Sequence, residues 1–244
     1  MDGCDPRNRL VVGEAPRRLR PVRQNEQVRI TLPSGTPAIH VPRPTATTGL
    51  VVAPDIWGIR PLFDDMAERL AAEWDMAVCA PEPFPGESLP LEIDVRVAAL
   101  RRANDVDRLR DLQEAAAATG CARNVIVGFC MGGMYAFKAA ALDTFDRIVA
   151  FYGMIRVPAA WQSPGQREPL DLIAAGHPER VLAVLGEQDP YTPLDDIAAL
   201  EALGVSTLRF PEAAHGFVHD PTRDSHRADD AAIAWDTARE WVRE

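Results

Sequence analysis

The chain has 244 residues, 47% of them hydrophobic, and a formal net charge of −10. Such a chain can bury a sizeable core without a metal or disulfide staple. Its acidic balance argues against nucleic acid as a partner, because phosphate contacts need a basic face. No run approaches the roughly 18 apolar residues of a membrane helix, and the first residues lack the apolar stretch of a secretory signal. The scattered Cys4, Cys79, Cys121 and Cys130 form no CxxC pair. A disulfide framework is therefore not expected, and a cytoplasmic location with no membrane partner is.

Residues 1–26 hold six arginines between Arg7 and Arg23 with Glu14 the only acid among them, and read as a loosely ordered, solvated segment. From residue 27 to 244 the pattern predicts one domain. Gln27–Leu32 and Pro37–Val41 read as a short antiparallel hairpin turning at Ser34–Gly35. Gly49–Ala53 is a continuous apolar run, as expected of a strand covered on both faces. Pro61–Glu73 carries apolar residues at helical spacing, and Met76–Ala80 reads as a buried strand. Pro81–Pro90 (PEPFPGESLP) is a proline-dense loop. Leu91–Ala118 predicts a long helical stretch, with Val95, Ala99, Ala103, Val106 and Leu109 on one face.

Further along, Asn124–Phe129 is a buried strand and Met131–Leu142 a helix. Arg147–Tyr152 and Arg180–Leu185 are strands, separated by an irregular stretch. Leu194–Leu203 is helical, Val205–Phe210 a strand and Asp229–Val242 a closing amphipathic helix. This alternation implies an α/β fold: a mostly parallel sheet with helices on both faces and an antiparallel N-terminal hairpin. Active sites in such folds lie beyond the carboxyl ends of the strands.

Gly128–Phe129–Cys130–Met131–Gly132–Gly133 follows the strand NVIVGF and opens the next helix. That is the setting of a nucleophile elbow, with cysteine in place of serine. A turn this sharp brings strand and helix backbones close, so side chains at Gly128 and Gly132 would collide. The helix N-terminus favours a thiolate at Cys130. After the strand RVLAVL, Asp189 in GEQDP stands where an α/β-hydrolase carries its acid, with Glu187 as competitor. His215, after the last strand, can take the thiol proton and later protonate a leaving alcohol. His215 and His219 share an HxxxH spacing, but Gly216 and Pro221 argue against a helix there, so no metal is expected.

These residues resemble the dienelactone hydrolase family of α/β-hydrolases, from about Thr36 to Trp241. The anchors are VVAPDIWGI, GFCMGG, Tyr152–Gly153, GEQDP, and HGF followed by Arg223 and AAIAWDTAREW. The resemblance implies an α/β-hydrolase fold and a triad of Cys130, Asp189 and His215. It implies an oxyanion hole from the N–H groups of Ile56 and Met131, and no cofactor. The implied activity is cleavage of a small ester or lactone, as in dienelactone hydrolase (carboxymethylenebutenolidase); separately, a monomer or small homo-oligomer is expected.

Asp55 matches the position of a glutamate that contacts the nucleophilic thiol in the family. It is one methylene shorter, and a loop brace is the other reading of it. The family also clamps a substrate carboxylate with arginines, one of them four residues after the catalytic histidine; that position here is His219. Trp57, Phe84, Tyr152 and Phe217 are candidates for an aromatic pocket, and Arg60 and Arg223 for an anionic group. Two other functions remain open: cysteine-dependent acyl or thioester transfer, and a non-catalytic, redox-sensing protein in which Cys130 is oxidised.

Overall fold

The computed structural model describes residues 27–244, and the arginine-rich segment predicted at 1–26 lies outside the described residues. Eight strands form one sheet in the order β1-β2-β4-β3-β5-β6-β7-β8. The hairpin β1 (Val28–Thr31) and β2 (Pro37–Val41) is antiparallel, and β2 runs antiparallel to β4 (Ala77–Pro81). From β4 onward every pairing is parallel, through β3 (Thr48–Ala53), β5 (Arg123–Phe129), β6 (Arg147–Phe151), β7 (Val181–Gly186) and β8 (Ser206–Phe210). The apolar runs at β3, β4, β5 and β7 are buried along nearly their whole length, as strands covered on both faces must be.

The chain reverses its direction of travel across the sheet. Helix α1 (Pro61–Trp74) leads from β3 to β4 on one side, whereas α4 (Met131–Lys138) leads from β5 to β6 on the other. Right-handed crossovers then put these helices on opposite faces. The closing helix α7 (Ala228–Trp241) joins the α1 layer, with the Trp74 and Trp235 rings 6.0 Å apart. This reversal makes the carboxyl ends of β3 and β5 a topological switch point, where open α/β sheets have their crevice. The sequence delivers the Asp55–Arg60 loop to one side of it and Cys130 to the other.

One predicted element is corrected. The stretch 91–118 is two helices, α2 (Ile93–Leu100) and α3 (Asp105–Ala118), rather than one. The Asn104 side chain accepts the Val106 N–H at 2.9 Å and caps α3, and Asp105 is held by a buried ion pair to Lys138 at 2.7 Å. Val95 and Val106, placed on the apolar face by periodicity, are exposed. The irregular stretch before β7 also holds a short helix, α5 (Pro169–Ala175). Helix α6 (Leu194–Ala202) is as expected. Among the described residues no helix is long and apolar enough to cross a membrane.

Candidate active site

Cys130 stands between β5 and α4 with φ 56° and ψ −116°, a backbone that an L-residue adopts only when its surroundings impose it. Those surroundings are visible. The Cys130 N–H donates to the Phe151 carbonyl at 3.0 Å, and its own carbonyl accepts from Met134 N at 3.0 Å. A Cβ at Gly128 would lie 2.2 Å from the Gly132 carbonyl oxygen, and one at Gly132 would lie 2.1 Å from that of Ala53. The two glycines therefore let α4 press against both β5 and the segment leaving β3. That contact brings the Ile56 and Met131 amides to the same end of the sheet. Met131 is the first residue of α4, whose opening N–H groups have no intrahelical acceptor. The Ile56 N–H likewise finds no acceptor among the described residues.

The histidine and its acid meet as expected. His215 Nδ1 lies 2.7 Å from Asp189 Oδ2, with both side chains nearly buried. Asp189 Oδ1 accepts the Tyr191 N–H at 2.8 Å, so each oxygen has its own donor. Tyr152 and Tyr191 flank the imidazole edge-on, at centroid distances of 5.2 and 5.0 Å. Nε2 is buried without a fully aligned hydrogen bond, yet close enough to Cys130 to feel its charge. Burial lowers the His215 pKa, but the negative charge of Cys130 and the Asp189 hydrogen bond outweigh it and raise the value to about 10. Glu187, the competing carboxylate, instead pairs with Arg209 at 2.8 Å near the surface.

Asp55 has a different set of neighbours. Its oxygens accept from Arg60 Nη1 and Nη2 at 2.7 and 2.8 Å, from Trp57 N at 3.0 Å and from His219 Nε2 at 2.9 Å. A carboxylate offers about four lone-pair sites, so this one is saturated. Burial raises the Asp55 pKa, but the His219 and Arg60 bonds overcome it and bring the value down to about 2. Because Asp55 is an acceptor, His219 carries its proton on Nε2, and Nδ1 accepts the Tyr152 hydroxyl. Burial also lowers the His219 pKa, against the pull of Asp55. The result is a buried chain from Arg60 through Asp55 and His219 to Tyr152, with the His219 ring stacked on Phe129 at 4.9 Å.

The remaining candidates divide. Phe217 is fully buried against Tyr152 and Phe210, and Phe84 is buried under Arg96. Trp57 is half-buried, its Nε1 donating to the Leu91 carbonyl at 3.2 Å. Arg60 is committed to Asp55, whereas Arg223 stacks over the Trp57 ring at 5.6 Å. No group of three or more metal-ligating side chains occurs among the described residues. The Arg60–Asp55–His219–Tyr152 chain does not follow from residue types alone. Its one sequence signal is that an acid and a histidine both sit a few residues past a strand end.

The dienelactone hydrolase family model matches residues 37–244. The chain belongs to the dienelactone hydrolase family. A Bradyrhizobium protein assigned as a 2-oxo-3-(5-oxofuran-2-ylidene)propanoate lactonase is 28% identical, over 84% of this chain and 88% of the relative. Carboxymethylenebutenolidase 2 of Cupriavidus pinatubonensis is 26% identical, over 72% of this chain and 76% of its own length. A Klebsiella pneumoniae crystal structure assigned as a dienelactone hydrolase superposes with a TM-score of 0.76 at 25% identity, covering 89% of this chain and 98% of that one. The fold is thus that of the α/β-hydrolases, and this family member is a hydrolase.

Proposed function

We propose that this hydrolase opens small esters or lactones through Cys130, with residues 27–244 as one catalytic domain. The Cys130 thiol gives its proton to His215 Nε2, its sulfur attacks the substrate carbonyl carbon, and the N–H groups of Ile56 and Met131 hold the resulting oxyanion. When the tetrahedral intermediate collapses, His215 donates its proton to the leaving alkoxide, and a thioester forms on Cys130. Water then gives a proton to His215 and attacks the thioester. The thiolate leaves and the acid departs. Asp189 keeps the Nδ1 proton in place throughout, so that Nε2 does the transferring. For a lactone, alcohol and acid stay on one product.

The observation that carries this reading is the strained Cys130 at the head of α4, facing a histidine whose other nitrogen is 2.7 Å from a buried carboxylate. The thiol nucleophile also suits a reducing, cytoplasmic location. Arg223 is the cation to meet an anionic substrate group, since Arg60 is neutralised by Asp55. The Arg223 guanidinium packs against Gly216, the residue after His215, where an added Cβ would come within 2.8 Å of Cζ. Turnover of aryl esters and lactones with and without a carboxylate, in wild type, Cys130→Ala and Arg223→Gln, tests both statements. Cys130→Ala should abolish all turnover, and Arg223→Gln should raise KM only for the carboxylates. Residual turnover by Cys130→Ala removes the nucleophile assignment.

A further inference from the structure

Arg96 on α2 is a buried cation whose hydrogen-bond partners are all neutral. Its Nε donates to the Pro90 carbonyl at 2.7 Å, Nη2 to that of Leu89 at 2.8 Å and Nη1 to that of Ile56 at 3.0 Å. The guanidinium packs on the Phe84 ring at 5.8 Å, and only 6% of the residue is exposed. Burying a cation is costly, and a carboxylate is its usual compensation. Here three backbone carbonyls do that work, and they come from two separate loops.

The Ile56 contact decides what this arrangement can do. The peptide between Ile56 and Trp57 is pinned at both poles: its carbonyl accepts from Arg96, and its N–H donates to Asp55 at 3.0 Å. Two residues further on, the Ile59 N–H donates to Glu82 at 3.0 Å, which anchors the far side of the same loop. On the near side, Gly132 packs directly on the carbonyls of Ala53 and Pro54. With the following peptide fixed, the Ile56 N–H has little freedom to turn away. The other two carbonyls belong to the exposed strap after Phe84, which is also tied to this loop through Trp57 Nε1 and Leu91.

We infer that Arg96 is a positioning residue for the oxyanion hole: it aims the Ile56 amide and makes that aim depend on the strap being seated. This rests on the reading of Ile56 as an oxyanion donor. A misplaced donor costs rate rather than substrate affinity, because it binds charge that exists only in the transition state. The guanidinium fork matters, since an ammonium has no planar array to span three carbonyls.

The test uses Arg96→Lys and Arg96→Gln with 4-nitrophenyl acetate as substrate. Alongside turnover, it measures inhibition by a small aldehyde, which forms a tetrahedral adduct on the thiol, and by the matching amide, which does not. The rate of Cys130 alkylation by iodoacetamide completes the set, because that displacement develops no oxyanion. We expect kcat to fall about 10- to 100-fold with KM within about twofold. Aldehyde affinity should fall in parallel, while amide affinity and alkylation rate hold. Unchanged kcat, a change in KM alone, or alkylation falling together with kcat would each overturn the inference. So would failure of both variants to fold, which would assign Arg96 to the fold alone. The Cys130→Ala assay is independent of all these outcomes, so a wrong nucleophile is told apart from a wrong role for Arg96.

Discussion

Replacing Asp189 with asparagine changes one atom, and the structure says what that atom controls. The carboxylate accepts two hydrogen bonds on separate oxygens, from His215 Nδ1 at 2.7 Å and from Tyr191 N at 2.8 Å. An asparagine has one acceptor oxygen and must choose. If the oxygen stays with Tyr191, the amide NH2 faces Nδ1, the imidazole proton moves to Nε2, and His215 can no longer act as a base. If the amide flips, Tyr191 N–H is left facing a donor in a partly buried site, at a cost of about 1–3 kcal/mol. The productive form is then suppressed by roughly 5- to 150-fold, at about 1.4 kcal/mol per factor of ten. Loss of the charge that supports the imidazolium adds to this, giving a total fall in kcat on the order of 10²–10⁴. Turnover of 4-nitrophenyl acetate measures it, with circular dichroism and thermal melting to confirm the fold. Glu187→Gln is the control and should stay within about twofold of wild type, because it disturbs only a surface pair with Arg209. A fall of less than about fivefold in Asp189→Asn, or a crippled Glu187→Gln, would refute the assignment.

Two further expectations concern charge. His215 is raised to about 10 largely by the charge of Cys130 acting against burial, so in Cys130→Ala the imidazole should titrate lower by NMR. A raised histidine contributes stability fully below its unfolded value near 6.5 and loses it as pH rises through about 10; in Cys130→Ala that loss should move to lower pH, and an unmoved titration would show that the two groups do not interact. For Asp55, the saturated carboxylate predicts a brace: Asp55→Ala should lower the melting temperature, at a cost of about 3–5 kcal/mol for leaving Arg60 without its anion. The pH profile of Cys130 alkylation should superimpose on that of wild type, and a displaced profile would restore the direct thiol-contacting role.

The proposed triad could be picked from the sequence because each of its residues follows a parallel strand. Cys130 closes NVIVGF, Asp189 follows RVLAVL by a few residues and His215 follows β8, so local pattern and order along the chain were enough. The network around Asp55 was not legible, because it joins residues 55, 60, 152 and 219 from three loops. Only the folded sheet brings those loops together. Arg96 was hidden for a similar reason: its partners are backbone carbonyls, which carry no side-chain signature. The split between α2 and α3 was missed because apolar spacing runs on across it. The break is written in polar residues instead, with Asn104 as cap and Asp105 and Asp107 in the first turn.

The claim on which everything else depends is that the acyl group passes through Cys130. Quenching the reaction with 4-nitrophenyl acetate in acid during the first turnover, followed by intact-protein and peptide mass spectrometry, observes that intermediate directly. The mechanism predicts one acetyl group per chain, located on Cys130 and absent from Cys130→Ala. It also predicts that this adduct persists longer in His215→Gln, where water has lost its base. An acetyl group on any other residue, or full turnover with no adduct and no loss in Cys130→Ala, would contradict it.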